Sequence, residues 1–395
     1  LLFGDGLFGK KLDNGDVIEV SYIITDGKAG NDGKFFSFSG DSVDDAGNPL
    51  PASQTITITT VQTAKGGGDI EDIESIKYIA PRVYSSQYRA VTAKDYEGII
   101  QSVFPDAESV SVIGGEELDP PEYGTVILSI KPRNSTYLSD FSKTQILDRL
   151  KSYSIAGINQ RIVDLKVLYV EMDVNAYYNA NIFSDTNGLK SQLSGALTNY
   201  GKSTNLNAFG GRFKFSEVQK IIDESNSAFV SNITKLKMRR DLKPIFNASS
   251  QYELCFGNSF HVNPKGKNIK STGFTISNNG NTLYFTDLPH ADLKTGDLAV
   301  IQITELSGED APVVIPSAGT VDYEKGEIMI NTINITSSSL ASGIIEIQAF
   351  PESNDIIGLK DLYLQLDMSN TTINIVRDTI SSGQQISGIG YKVTS

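Results

Sequence analysis

An α+β chain is predicted, and three observations predict it. Residues 1–65 alternate apolar and polar side chains at strand period between connections rich in Gly, Asp and Asn. Residues 66–245 mix such runs with capped helical stripes. After Lys243-Pro244 the helical periodicity stops, and short apolar runs alternate with Gly, Asn and Ser turns. The expected organisation is a β-rich arm (1–65), a mixed α+β core with a ferredoxin-like unit (66–245) and an all-β sandwich or barrel-like domain (246–395). A chain of 395 residues is long enough for two or three cores of this kind.

In the arm, Ile18, Val20, Tyr22 and Ile24 alternate with Glu19 and Ser21, and Thr55–Thr59 repeats the pattern with β-branched residues. A short strand is expected at Phe35–Phe38 between them. The core opens on a helix with Asp69 as N-cap, Glu71 and Asp72 in its first turn, and Ile70, Ile73, Ile76 and Ile79 as its stripe. Pro81 is expected to end it. From Arg82 to Tyr178 the expected order is strand, helix, strand, strand, helix, strand. Thr92 and Asp95 make a capping box for the first of those helices, with Tyr96, Ile99, Ile100 and Val103 as its buried face and Pro105 as its stop. Val110–Ile113 and Thr125–Ile130 form the central strand pair. Ser142 caps the next helix, with Gln145 three residues on and Ile146, Leu147, Leu150 and Tyr153 as its stripe; one long strand then runs Val163–Val174. That order is the split βαβ, ferredoxin-like arrangement. A helix carrying Leu189, Leu193, Ala196, Leu197 and Tyr200, another from Ser216 through Val218, Ile221 and Ile222, and a strand Phe229–Arg240 complete the core. In the last part the strand runs are Leu283–Phe285, Leu298–Ile303, Glu327–Ile330, Ile344–Phe350 and Ile373–Val376.

Composition narrows the function classes. A formal charge of −13 disfavours the phosphate-backbone binding that drives most nucleic-acid affinity. No run approaches the roughly 18 consecutive apolar residues of a membrane span. The single Cys255 cannot form an intramolecular disulfide. The opening LLFGDGLFGKK lacks the pattern of a signal peptide and has no initiating Met, so a piece of a longer chain, without its N-terminal part, is expected.

The short motifs are weighed by their chemistry. Gly4-Asp5-Gly6-Leu7-Phe8-Gly9 spells the dinucleotide-binding turn, but that mechanism needs a preceding strand and a following helix, so a tight turn is expected. Gly66-Gly67-Gly68 lacks the Gly-Lys-Ser/Thr of a phosphate loop, and Asp69, Glu71 and Asp72 would repel a phosphate. Gly201-Lys202-Ser203 has Ala196 where the first glycine belongs. Asp41–Asn48 places Val43 at a calcium-ligand position and ends without the bidentate Glu, so it reads as a solvated turn. Glu116 and Glu117 are adjacent and would face opposite sides of an extended segment, whereas glycoside hydrolysis needs two carboxyls facing one bond. Cys255 and His261 are the one pair resembling a nucleophile and base, and His290 would add a third zinc ligand, at a spacing that fits no familiar site. Lys235, Lys237 and Arg239 share one strand face, readable as a contact for an acidic neighbour or as a charge-protected sheet edge. No catalytic, cofactor or metal residue is assigned.

One resemblance is more specific than these motifs. Glu71-Asp72-Ile73-Glu74-Ser75-Ile76 before Ala80-Pro81, then Gln87-x-Arg89-Ala90-Val91-Thr92-x-x-Asp95-Tyr96, resembles the signature of the baseplate J-like family, wedge proteins of contractile phage tails and related injection machines. FGDGLFGKKLDNGDVIEVSYIITDGKAGN resembles the segment before that signature. The resemblance covers about residues 1–175 and thins after about 245. It implies a structural virion protein, assembled in the host bacterial cytoplasm, that forms homodimers, joins other wedge proteins and closes a ring around the tail hub, with no nucleic-acid, membrane or small-molecule partner. The alternatives are a tail-associated glycan hydrolase and a receptor-binding β protein. Physically, Arg89 and Asp95 are placed where they could pair across two helix ends.

Overall fold

A computed structural model describes residues 73–380, apart from 119, 134, 136, 203–205 and 304–310, together with short stretches before residue 73, the longest being 11–21 and 26–37. Nearly half of the expected arm, including all of the Gly4–Gly9 motif except Gly6, lies outside the described residues, as do Gly66–Gly68, Asp69 and Ile70 at the start of the expected core. Where the arm is described it departs from expectation. Residues 18–21, 35–37 and 58–60 form no strand, and Ile18, Val20 and Phe35 are exposed. In the Asp41–Asn48 turn, Val43 bridges Pro49.

The first unit contains α1 (Ile73–Ser86), α2 (Ala93–Val103), β1 (Ala107–Gly114), β2 (Thr125–Pro132), α3 (Asp140–Leu150) and β3 (Asn159–Val163). α1 does not stop at Pro81 but runs through it to Ser86. A proline removes one N–H from a helix. Here Ile76, Lys77, Ala80 and Pro81 are all exposed, so the carbonyl left without its donor is open to solvent rather than buried. The helix therefore takes the place of the strand expected from Arg82. What remains of that strand is one parallel bridge, Ala90 to Ser154.

The Thr92–Asp95 box forms as expected: Thr92 Oγ1 accepts from Asp95 N at 3.3 Å, and the Asp95 carboxylate accepts from Thr92 N at 2.8 Å. Arg89 does not pair with Asp95, whose carboxylate is taken up by the amides of Val91 and Thr92. α3 begins three residues early, because Ser139 rather than Ser142 is its N-cap; Ser139 Oγ accepts from Ser142 N.

β1 and β2 pair antiparallel and β2 and β3 pair parallel, in the order β1-β2-β3. Three strands replace the four of the split βαβ arrangement. α2 and α3 cover this sheet, and Ile99, Ile100, Val110, Leu128, Ile146 and Leu150 are in its core.

The strand expected over Val163–Val174 is broken. β3 ends at Val163, and β4 (Lys166–Tyr178) starts a second sheet. Asp164, in the two-residue link, turns outward to Lys143 at 2.7 Å. The second unit continues with α4 (Thr186–Gly201), β5 (Ala208–Phe209), β6 (Arg212–Phe213), α5 (Phe215–Glu224) and β7 (Phe229–Leu242), close to the expected spans. Leu189, Leu193, Leu197, Val218 and Ile222 are fully buried, which is why both helical stripes were legible. β4 and β7 are antiparallel neighbours over most of their length.

The remaining strands are β8 (Ser249–Cys255), β9 (Lys270–Ser271), β10 (Phe274–Ile276), β11 (Asn279–Pro289), β12 (Thr295–Ile301), β13 (Val313–Asp322), β14 (Glu327–Ser338), β15 (Ile345–Ala349), β16 (Ile356–Ile357), β17 (Leu362–Leu366) and β18 (Thr372–Arg377). β10 pairs with both β14 and β11, so β10-β14-β13-β12-β11 closes antiparallel into a small barrel. The stacked Phe274 and Phe285 rings sit 4.4 Å apart in its interior. The β13–β14 turn needs Gly326, which has φ +70° and whose absent Cβ would meet Asn258 O at 2.0 Å. The sheet does not end at residue 245. β15 pairs with β7, β17 and β18 pair parallel with β4, and one hydrophobic core runs from Leu168 to Ile373.

Candidate functional site

The densest polar constellation is buried in the second unit. At Arg239, β7 lies between β15 and β4, so this residue is not at a sheet edge, whereas Lys235 and Lys237 are paired on the β4 side alone. Its acidic neighbours come from the same chain. Lys237 Nζ contacts Asp173 at 2.6 Å. Arg239, 4% exposed, stacks over the Tyr169 ring at 4.2 Å and meets Glu171, Glu346 and Asp367 at 3.0, 3.0 and 3.1 Å. Its Nε lies 3.1 Å from Asp241, an ionic contact without an aligned hydrogen bond.

Four carboxylates around one guanidinium leave an excess of negative charge. Burial pushes the Glu171 and Asp241 carboxyls above the ordinary carboxylate range, although Arg239 pulls both the other way. Gln348 and Asn370 donate to Glu171 as well. A glycan hydrolase requires two carboxyls facing one bond, one with a raised pKa as general acid and the other ionised. Glu171 and Asp241 converge on Arg239, and the Glu171 side chain is only 3% exposed, so no sugar ring reaches between them. The cluster ties β4, β7, β15 and the end of β17 together. The sequence signal for it was on β4, where Glu171 and Asp173 alternate opposite the basic residues of β7.

The other candidates are dispersed. Cys255 lies 3.9 Å from Glu327, and burial pushes its thiol up, away from the reactive thiolate. His261 sits by Glu352 at 3.6 Å, while His290 bridges Thr295 and Asp297, so neither histidine faces Cys255. Glu117 pairs with Lys360 at 3.3 Å. Lys202 caps the C-terminal end of α4, and Ser203 is outside the described residues.

A different kind of site lies at one end of the first unit. α1 ends in two successive non-glycine residues of left-handed conformation, Gln87 (φ 46°) and Tyr88 (φ 58°). Such backbone is uncommon outside glycine and clusters at functional positions. Ala90 N then donates to Tyr153 O, and Asn159 N to Gly124 O, so the segments around 88–91, 123–124 and 153–158 meet at one end of the sheet. Tyr88, Val91, Tyr123, Ile155 and Ile158 are all exposed there, Tyr123 by 82%. On α1, Tyr84 is exposed too, and so are Ile73 and Ile76, the two residues of the expected buried stripe whose burial is described. Clustered exposed apolar residues mark contact surfaces, whereas single ones need no explanation.

Part of each unit matches a known domain. Residues 92–163 match the family described as baseplate structural protein gp6, C-terminal domain I, and residues 166–241 match gp6, C-terminal domain III. The two matches abut at the Asp164-Leu165 link. The baseplate wedge protein gp6 of Enterobacteria phage T4 is 22% identical over 282 residues, covering 68% of this chain and 39% of its own length. Over these segments the chain is similar to gp6 baseplate proteins. Those relatives are structural proteins of the phage baseplate. The chain spans about two fifths of the length of that curated relative. A cryo-EM structure of the anti-feeding prophage (AFP) baseplate aligns at a TM-score of 0.31 and 15% identity, covering 48% of this chain and 43% of that one, too distant a likeness to carry an argument.

Proposed function

We propose that the chain is a non-catalytic wedge subunit of a contractile-tail baseplate, which forms homodimers and joins neighbouring wedges into a ring around the central hub. This reading takes in the large wedge protein of T-even-like phages as the type of protein, and the baseplate J-like resemblance of residues 71–96 as its wider kinship. The observation that carries it is the exposed apolar end of the first unit, built from Tyr88, Val91, Tyr123, Ile155 and Ile158, the last three of which lie in the segment that matches a gp6 domain. Aromatic and aliphatic side chains in one patch supply the core of a protein–protein interface, with polar groups as its rim. No nucleic acid, membrane or small-molecule substrate is part of the proposal.

Light scattering on a size-exclusion column tests it. The chain is expected to elute as a dimer or larger at high concentration, and a Tyr88→Ser, Ile155→Ser variant as a monomer with an unchanged circular dichroism spectrum. A parent chain that stays strictly monomeric overturns the dimer reading. The hydrolase alternative is checked by peptidoglycan zymography, where the expected result is no clearing.

A further inference from the structure

We infer that residues 92–163 form an arm that swivels on the large sheet about Asp164-Leu165, held in place by a polar latch. This goes beyond the assembly reading and does not depend on it, because the motion belongs to the isolated chain. Three observations carry it. The two hydrophobic cores share no residue: one ends with Leu150 and the packed Ile162, and the other starts at Leu168. The covalent connection between the sheets is two residues long. Asp164 is tied to the arm through Lys143, and Leu165 is in neither core, which places the pivot at Leu165.

The third observation is the character of the contacts across the seam. Glu117 of the arm pairs with Lys360 at 3.3 Å, and both side chains are substantially exposed, at 49% and 78%. Ser111 Oγ donates to Lys360 O, and Phe209 N donates to Ser109 Oγ at 3.4 Å. The Lys131 ammonium stands 5.8 Å above the Tyr363 ring. Tyr363 points away from the core occupied by its neighbours Leu362 and Leu364, and its hydroxyl donates to Asn207 O at 3.1 Å. These are hydrogen bonds, an ion pair and a cation–π contact; the ion pair is open to water and salt, while Ser111, Lys131 and Tyr363 are buried. Neither hydrophobic core extends across the seam, and the buried apolar side chains on its two sides that belong to neither core are Ile127 and Tyr363. Such an arm lets its exposed apolar end stay attached to a neighbour while the large sheet changes orientation.

Electron–electron distance measurement between two spin labels tests the inference on the full chain. Cys255→Ser removes the single native thiol. Lys151→Cys on the arm and Lys325→Cys on the large sheet, 72% and 68% exposed, accept the labels. At low ionic strength one narrow distance is expected. Glu117→Lys, which sets two cations against each other across the seam, should add a second, longer distance, and Lys360→Glu in that background should restore the single one. Molar salt should act like Glu117→Lys. Both residues are exposed, so neither substitution threatens the fold. A distribution that stays narrow and unmoved in Glu117→Lys and in high salt shows one rigid body and overturns the inference. A broadening that the charge swap fails to reverse overturns the latch.

Discussion

The two units treat charge and apolar surface in opposite ways. The large sheet buries an arginine with four carboxylates around it, while the smaller unit leaves tyrosines and isoleucines in water. Both choices cost stability in isolation. A buried ion cluster is often no better than apolar packing of the same volume, and an exposed apolar cluster forgoes burial. The charge is enclosed within this chain, so its value must be internal: it ties four strands together. The apolar end has no cover among the described residues, so its value lies outside the chain. That difference separates a scaffold from a contact surface.

The comparison breaks most readily at Arg239. Arg239→Met should lower stability by about 3–5 kcal/mol, because it leaves carboxylates buried without their cation; chemical denaturation measures it. The pH dependence has a defined sign. Glu171 and Asp241 titrate above their unfolded values, so the native state holds their protons more tightly, and their contribution falls as pH rises from the ordinary carboxylate range through the raised values. The deficit of the variant against the parent should therefore shrink as the pH is lowered into that range. A deficit independent of pH would mean that Arg239 matters for packing alone.

Next in size is Leu150→Ala in the core of the smaller unit, expected to cost about 2–5 kcal/mol. If the cores are separate, hydrogen exchange should quicken across 93–163 while the amides of β4 and β7 keep their protection. Loss of protection in both would join the units into one. Thr92→Ala should cost about 1 kcal/mol by removing half of a capping box, read by thermal melting. Smallest in stability, Tyr88→Ser and Ile155→Ser should each stay within about 0.5 kcal/mol of the parent, since exposed positions away from caps and cores tolerate change. A larger loss would make these residues structural.

Local signals were legible in the sequence. The Thr92–Asp95 box, the stripes of α4 and α5 and the strand of β7 are set by residues within a few positions of one another, and they appear where expected. Signals that depend on what lies opposite were not. Pro81 reads as a helix stop, yet an exposed helix tolerates it. Ser139 and Ser142 both precede the α3 stripe, and only packing chooses between them. The alternation of Val163–Val174 does not reveal that Asp164 leaves one sheet and Lys166 enters another. Arg239 looks like any strand-face cation until β4 and β15 are placed beside it. The candidate surface was hidden for a related reason: Ile73 and Ile76 belong to a stripe that reads as core, and the fold leaves these two outside.

Sedimentation velocity over a concentration series tests the central claim most directly. The parent chain and a Tyr88→Ser, Tyr123→Ser, Ile155→Ser variant would be run side by side. The account predicts that the parent's sedimentation coefficient rises with concentration while that of the variant stays at the monomer value. A parent that sediments as a monomer throughout, or a variant that associates as strongly as the parent, would contradict it.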